Sequence, residues 1–119
     1  MITVNDMLPT IQQFPNGETN VVLSPTSIRT EGGNTLVWTY EGDFEFMQLQ
    51  QIVAVLKQHQ ATDITVHIPY FPYERMDRVD PEVHNAMTMK LAFNMLPKDF
   101  DYEIYEQHSA KLAETVALN

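Results

Sequence analysis

Three observations place this chain in the α/β class, as one three-layer domain with a mainly parallel sheet and an amino-terminal β-hairpin. Strand-like and helix-like segments alternate from Thr35 onward, which is the sequence form of βαβ units. An Asn-Gly pair at residues 16 and 17 precedes a β-branched run, the signature of a tight hairpin turn. The 119 residues, 44% of them hydrophobic, suit a single core, so residues 1–119 are expected to form one domain.

The elements follow in order. Ile2 to Val4 is a short apolar start, and "FPNGE" (14–18) turns the chain into the strand-like run 19–23. Pro25, Gly32 and Gly33 punctuate a loop before "TLVWTY" (35–40), whose bulky and β-branched residues suit a buried strand. Phe46, Leu49, Ile52, Val53 and Leu56 recur at spacings of three and four, predicting an amphipathic helix over 44–60. "DITVHIPY" (63–70) is the next strand. Asp80 as N-cap and Pro81 at the first helical position predict a second helix there, with Val83, Met87, Leu91 and Met95 along one side. "DYEIYE" (101–106) is the last strand, and Ser109 caps a final short helix holding Leu112 and Val116.

Charge and composition narrow the function classes. Seven basic residues face sixteen acidic ones, and the net charge of −9 argues against a nucleic-acid backbone or an anionic membrane as partner. An anionic ligand must then be met by a few placed cations, by backbone amides or by a bound metal. The absence of cysteine removes disulfides, thiolate metal sites and cysteine nucleophiles. No leader-like start and no apolar run of spanning length is visible, so a soluble cytoplasmic protein is expected. There is no GxxxxGK[ST] loop, no nucleophile elbow and no HExxH motif, and the lone "EGGN" precedes a strand and is explained by a turn.

In open α/β sheets ligands gather beyond the carboxyl ends of the strands. "IPYFPYERMDR" (68–78) lies at one such end and "EQHS" (106–109) at the next, so Arg75, Asp77, Arg78, Glu106 and His108 are expected to share one rim. Arg75 with Asp77 and Arg78 is either a solvated ion-pair cluster of little energetic consequence or a ligand contact, and its place at a strand end favours the latter. Phe71 is expected to cover the core, whereas Tyr70 and Tyr73 are open between core and ligand. His108 reads equally as a helix cap and as a phosphate, acid–base or metal-binding imidazole. His59 and His84 are expected to face solvent. His67, alternating with Val66 and Ile68, is expected to be a satisfied core histidine.

"FPNGET" (14–19), "ITVHIPYFPYERMDR" (64–78) and "YEQHSAK" (105–111), in that order, resemble the amino-terminal half of the ribose-phosphate pyrophosphokinases, also called phosphoribosyl pyrophosphate synthetases. The MDR form looks closest to divergent, phage-type members. The resemblance implies a phosphoribosyltransferase-like, Rossmann-like domain and transfer of the β,γ-diphosphate of ATP to ribose 5-phosphate, with Mg2+ bridging the phosphates. It implies ATP-binding roles for Phe14, Asn16 and Glu18, reaching a neighbouring subunit, and for Arg75, Asp77 and His108, with His108 also at the metal. Asn16 stands where the family usually carries an acid, Met76 where it carries a glutamine, and Glu106 where an aspartate is more common.

Family enzymes add a second α/β domain with a mobile Lys/Arg loop and a Thr-rich ribose-phosphate loop, and neither occurs in these 119 residues. Since phosphoryl transfer depends on positioned cations, the chain is expected to be inactive alone and to need a homo-oligomer or a complementing carboxy-terminal half. Two other classes are consistent with the same residues: a non-catalytic nucleotide-binding or regulatory module that joins full-length synthetases, and an interaction protein, for example a phage factor, that uses the fold as a scaffold and binds no nucleotide.

Overall fold

The computed structural model describes residues 1–106 apart from 62, 81 and 99. Its main sheet has four strands in the order β1 (Ile2–Val4), β4 (Asn34–Trp38), β5 (Ile64–Tyr70), β6 (Asp101–Glu106). β1 runs antiparallel to β4 with Ile2 opposite Trp38 and Val4 opposite Leu36, while β4–β5 and β5–β6 are parallel. A separate antiparallel pair, β2 (Thr10–Gln13) and β3 (Thr19–Val22), joins across the Phe14–Glu18 turn. Helix α1 (Phe44–Gln58) connects β4 to β5, and α2 (Thr88–Asn94) lies between β5 and β6. The parallel αβ order expected from Thr35 onward is thus observed, with an antiparallel edge strand added in front.

Period-two alternation decides what each strand buries. Leu36, Trp38, Val66 and Ile68 point to one face, where each is wholly buried, and the inner sides of both helices join the same core cluster. All five apolar positions read for α1 are buried: Phe46, Leu49, Ile52, Val53 and Leu56. Phe46 packs edge-on against Trp38 with ring centroids 5.1 Å apart. The β2–β3 pair leans on the outside of α1, where Val21 is buried and Gln51 donates its side-chain amide to the Thr19 carbonyl at 2.9 Å. No helix among the described residues is long and apolar enough to cross a membrane.

Two expectations need correcting. The second helix begins at Thr88, not beside Asp80. Asp80 instead accepts the Glu82 N–H on its side chain at 2.9 Å, and Asn85 accepts the Asp80 N–H at 3.2 Å, so local side-chain bonds compete with helical ones. The buried stripe is correspondingly Met89, Ala92, Phe93 and Leu96, while Val83, Leu91 and Met95 are exposed. A stripe spaced by threes and fours wraps the core better than the series of fours that was read.

His67, second, is satisfied but is not in the core. Val66 and Ile68 occupy the inward positions, which forces His67 to the opposite, half-buried face. There its ring stacks on Tyr105 at 5.6 Å, and Nδ1 lies 3.1 Å from the Glu103 carboxylate and bonds the Tyr105 hydroxyl. His59 and His84 are exposed as expected, and the proposed final helix at Ser109 falls outside the described residues.

Candidate functional site

The chain leaves β5 at Tyr70 and enters a loop held at its root by Phe71, which is buried against Phe93 with centroids 6.0 Å apart. Phe71 is therefore core, as expected. Tyr73 adopts a left-handed backbone, φ +66°, a conformation that costs a residue with a side chain about 1–2 kcal/mol. A 3-10 turn over Glu74–Met76 follows, closed by the Met76 N–H on the Tyr73 carbonyl at 2.9 Å. This loop walls an open cavity of about 710 Å3, to which Tyr70, Tyr73, Arg75, Met76 and Arg78 contribute.

The charges of the loop divide into a structural pair and an exposed cation. Asp77, expected on the rim, is only 6% exposed, so its carboxylate is buried. Arg78 donates Nε to Asp77 Oδ1 at 2.9 Å and Nη2 to Oδ2 at 3.3 Å, a two-pronged geometry that keeps the guanidinium protonated even more firmly than usual. Burial explains the choice, since a carboxylate taken out of water needs such a partner. Arg75 is exposed on the cavity lip and makes no hydrogen bond or ion pair among the described residues.

Phe14, Asn16 and Glu18 form a different corner. They line a second, shallow cavity of about 480 Å3 that shares no lining residue with the first. Gly17 at φ +92° makes the turn, its N–H on the Phe14 carbonyl at 2.9 Å. The Asn16 side chain accepts the Glu18 N–H at 3.1 Å and donates to the Glu18 carboxylate, while Phe14 stays 49% exposed. Within one chain, then, the two groups of predicted site residues are not brought together. His108 lies outside the described residues. The register of β6 places Glu106 opposite Tyr70 in a parallel pair, so the backbone leaves both strands at the same level of the sheet.

The sequence reading missed a cluster beside this loop. Asp43, at the start of α1, does not cap that helix with its side chain. Its Oδ1 instead accepts the Tyr40 hydroxyl at 2.5 Å and the Tyr73 hydroxyl at 2.6 Å. The two rings meet edge-on, centroids 6.0 Å apart. The hydroxyls of Tyr40 and then Tyr73 hold the Asp43 carboxyl below its ordinary range, and Asp43 followed by Tyr73 pushes Tyr40 well above a normal phenol. The available signal was positional: "TYEGD" (39–43) joins the carboxyl end of a strand to a helix, the same kind of place as the loop that was singled out.

As a magnesium site the described residues do not fit. No group of three or more acidic or histidine side chains converges among them. Asp77 is engaged by Arg78, and one Asp43 oxygen already serves two hydroxyls.

Comparison with known proteins supplies the wider frame. A family model described as the N-terminal domain of ribose phosphate pyrophosphokinase matches residues 2–99. No curated protein sequence matches the chain. Among solved structures, phosphoribosylpyrophosphate synthetase from Mycobacterium smegmatis superposes with a TM-score of 0.69 at 18% identity, a likeness of fold. The match covers 93% of this chain and 39% of the synthetase, so the chain spans well under half the length of that protein. With residues 2–99 of its 119 accounted for by that family model, the chain belongs to the family of the N-terminal domain of ribose phosphate pyrophosphokinase.

Proposed function

We propose that this chain supplies the MgATP-binding half of a ribose-phosphate pyrophosphokinase-like protein acting in nucleotide biosynthesis. In the whole reaction the anomeric hydroxyl oxygen of ribose 5-phosphate bonds to the β-phosphorus of ATP. The bond from that phosphorus to the α,β-bridging oxygen breaks, AMP leaves, and the hydroxyl proton is released. Magnesium enters as part of the substrate, on the phosphates of ATP, and no step is assigned to metal held by the described residues.

The observation that carries this assignment is Arg75. A chain of net charge −9 must recruit a triphosphate locally, and Arg75 is an exposed cation with no competing partner among the described residues, on a cavity at the carboxyl end of β5. Asp77 acts by holding Arg78. Phe14, Asn16 and Glu18 meet the adenine of a neighbouring copy, which requires a homo-oligomer, and His108 approaches the phosphates. The three-layer arrangement and the amino-terminal hairpin belong to the same assignment, as does a cytoplasmic setting, where ATP and sugar phosphates are found. Turnover depends on cations from a second domain absent from these residues, so binding without catalysis is expected of the chain alone.

Calorimetry with MgATP tests this. The protein should bind, and Arg75→Ala should weaken binding by at least about tenfold, the loss expected for one charge-assisted contact. Addition of a carboxy-terminal half of a family member should then yield AMP from ATP only when ribose 5-phosphate is present. Absence of binding, or equal binding by Arg75→Ala, overturns the assignment.

A further inference from the structure

We propose that Tyr40, Asp43 and Tyr73 form a clamp that positions Arg75 for its ligand, so that Tyr40 and Asp43, which do not line the cavity, govern nucleotide affinity through Tyr73. This rests on the proposed role of Arg75.

The geometry points from clamp to cation. Tyr40 follows β4, Asp43 opens α1, and Tyr73 belongs to the loop after β5, so one carboxylate oxygen ties the loop to two elements of the scaffold. Both bonds, at 2.5 and 2.6 Å, have the short spacing of hydroxyls on an ionised acceptor. Tyr40 is itself fixed from behind by Trp38, a wholly buried ring 6.0 Å away. The rigid end of the clamp is therefore the core. Its other end is Tyr73, a residue in a left-handed conformation that persists only where the surroundings impose it. The Tyr73 carbonyl closes the 3-10 turn that carries Arg75, through the Met76 N–H at 2.9 Å.

Arg75 makes no side-chain hydrogen bond or ion pair among the described residues, and the turn that carries it lies beside α2. Its placement follows that turn, which the Tyr73 carbonyl closes. If the clamp is opened the loop samples other conformations, and a ligand pays for the fraction of time that the binding arrangement is lost. An occupancy reduced to about one tenth weakens apparent affinity about tenfold.

The test uses Tyr73→Phe, which keeps the ring, Asp43→Ala, which removes the acceptor, and Asp43→Asn, which restores a neutral one. Two readouts are taken on folded protein. In limited trypsin digestion without ligand, cleavage after Arg75 should accelerate about tenfold in Tyr73→Phe and Asp43→Ala and less in Asp43→Asn, while cleavage after Lys57 within α1 stays unchanged. In MgATP calorimetry, Tyr73→Phe should bind about tenfold more weakly, and Tyr73→Phe/Arg75→Ala should bind no more weakly than Arg75→Ala alone. Unchanged cleavage after Arg75, or losses that simply add in the double variant, overturns the clamp. If Arg75→Ala weakens binding and Tyr73→Phe does not, the clamp falls and the nucleotide site stands; if the unaltered protein binds no MgATP, both fall.

Discussion

Arg78 grips Asp77 through Nε and Nη2 at 2.9 and 3.3 Å, turning two neighbouring charges of the "ERMDR" run into a structural pair and leaving Arg75 as the cation with no ion-pair partner among the described residues. The two arginines should therefore separate experimentally. Arg78→Ala strips both guanidinium bonds from a carboxylate that is only 6% exposed, and should lower the melting temperature. Arg75→Ala removes a side chain with no described partner and should change stability by no more than about 0.5 kcal/mol. Thermal unfolding of the two variants checks this, and equal losses would contradict the division of roles.

The second helix offers a sharper test of packing. Phe93 is 7% exposed and faces Phe71, whereas Leu91, two residues earlier, is 53% exposed. Phe93→Ala should cost about 3–5 kcal/mol, as buried phenylalanine truncations do. Leu91→Ala should stay within about 0.5 kcal/mol. Urea denaturation midpoints measure both, and a larger loss for Leu91→Ala would put the Val83, Met87, Leu91 and Met95 side against the core instead. Phe93→Ala also removes the ring that anchors the loop at Phe71, so its effect should extend to the cavity.

Gly17 is required by its backbone and not by crowding. At φ +92° it occupies a region that side chains disfavour, yet a Cβ there would meet nothing within 4 Å. Gly17→Ala should accordingly destabilise by about 1–2 kcal/mol. Gly17→Asn should be tolerated better, since asparagine enters positive φ more readily. If Ala and Asn cost the same in thermal melts, the turn conformation is not what selects glycine.

The order of elements was legible because its signals are local and redundant. In α1 five apolar positions on a helical period all became buried, and in β5 the alternation around Val66 and Ile68 fixed which face each residue took. The same alternation also placed His67 outside the core, a consequence that was available and not drawn. The start of α2 was misread because Asp80 is equally suited to cap a helix and to form a local turn, and only bonds to Glu82 and Asn85 decide between them. The place of Arg75 beside a cavity after β5 was legible by position. The burial of Asp77 was not, because adjacent charges in a sequence do not reveal whether they face a ligand or each other. The Tyr40–Asp43–Tyr73 cluster was legible only in part: position marked "TYEGD" as a strand end, but Asp43 and Tyr73 lie thirty residues apart and nothing in either segment names its partner.

Asp43 gives that cluster a pH signature. Its carboxyl is held below the ordinary value of 3.8, first by Tyr40 and then by Tyr73, so folding favours the ionised form. A group depressed in the folded state contributes stability above its unfolded pKa and loses it as pH falls through the folded value. The contribution is thus complete at neutral pH, begins to fade near pH 4, and is gone only below the folded pKa of Asp43. Tyr40, pushed upward by the same contacts, stays protonated throughout that window and keeps donating. Asp43→Asn retains an oxygen acceptor but no charge, so it should be less stable than the unaltered protein at pH 7, with the gap closing as the pH falls below about 4. Other acids are common to both proteins and largely cancel in the difference. Paired melts between pH 7 and 2.5 are the measurement, and a gap of constant size across that range would mean that the charge on Asp43 contributes nothing to holding the two tyrosines.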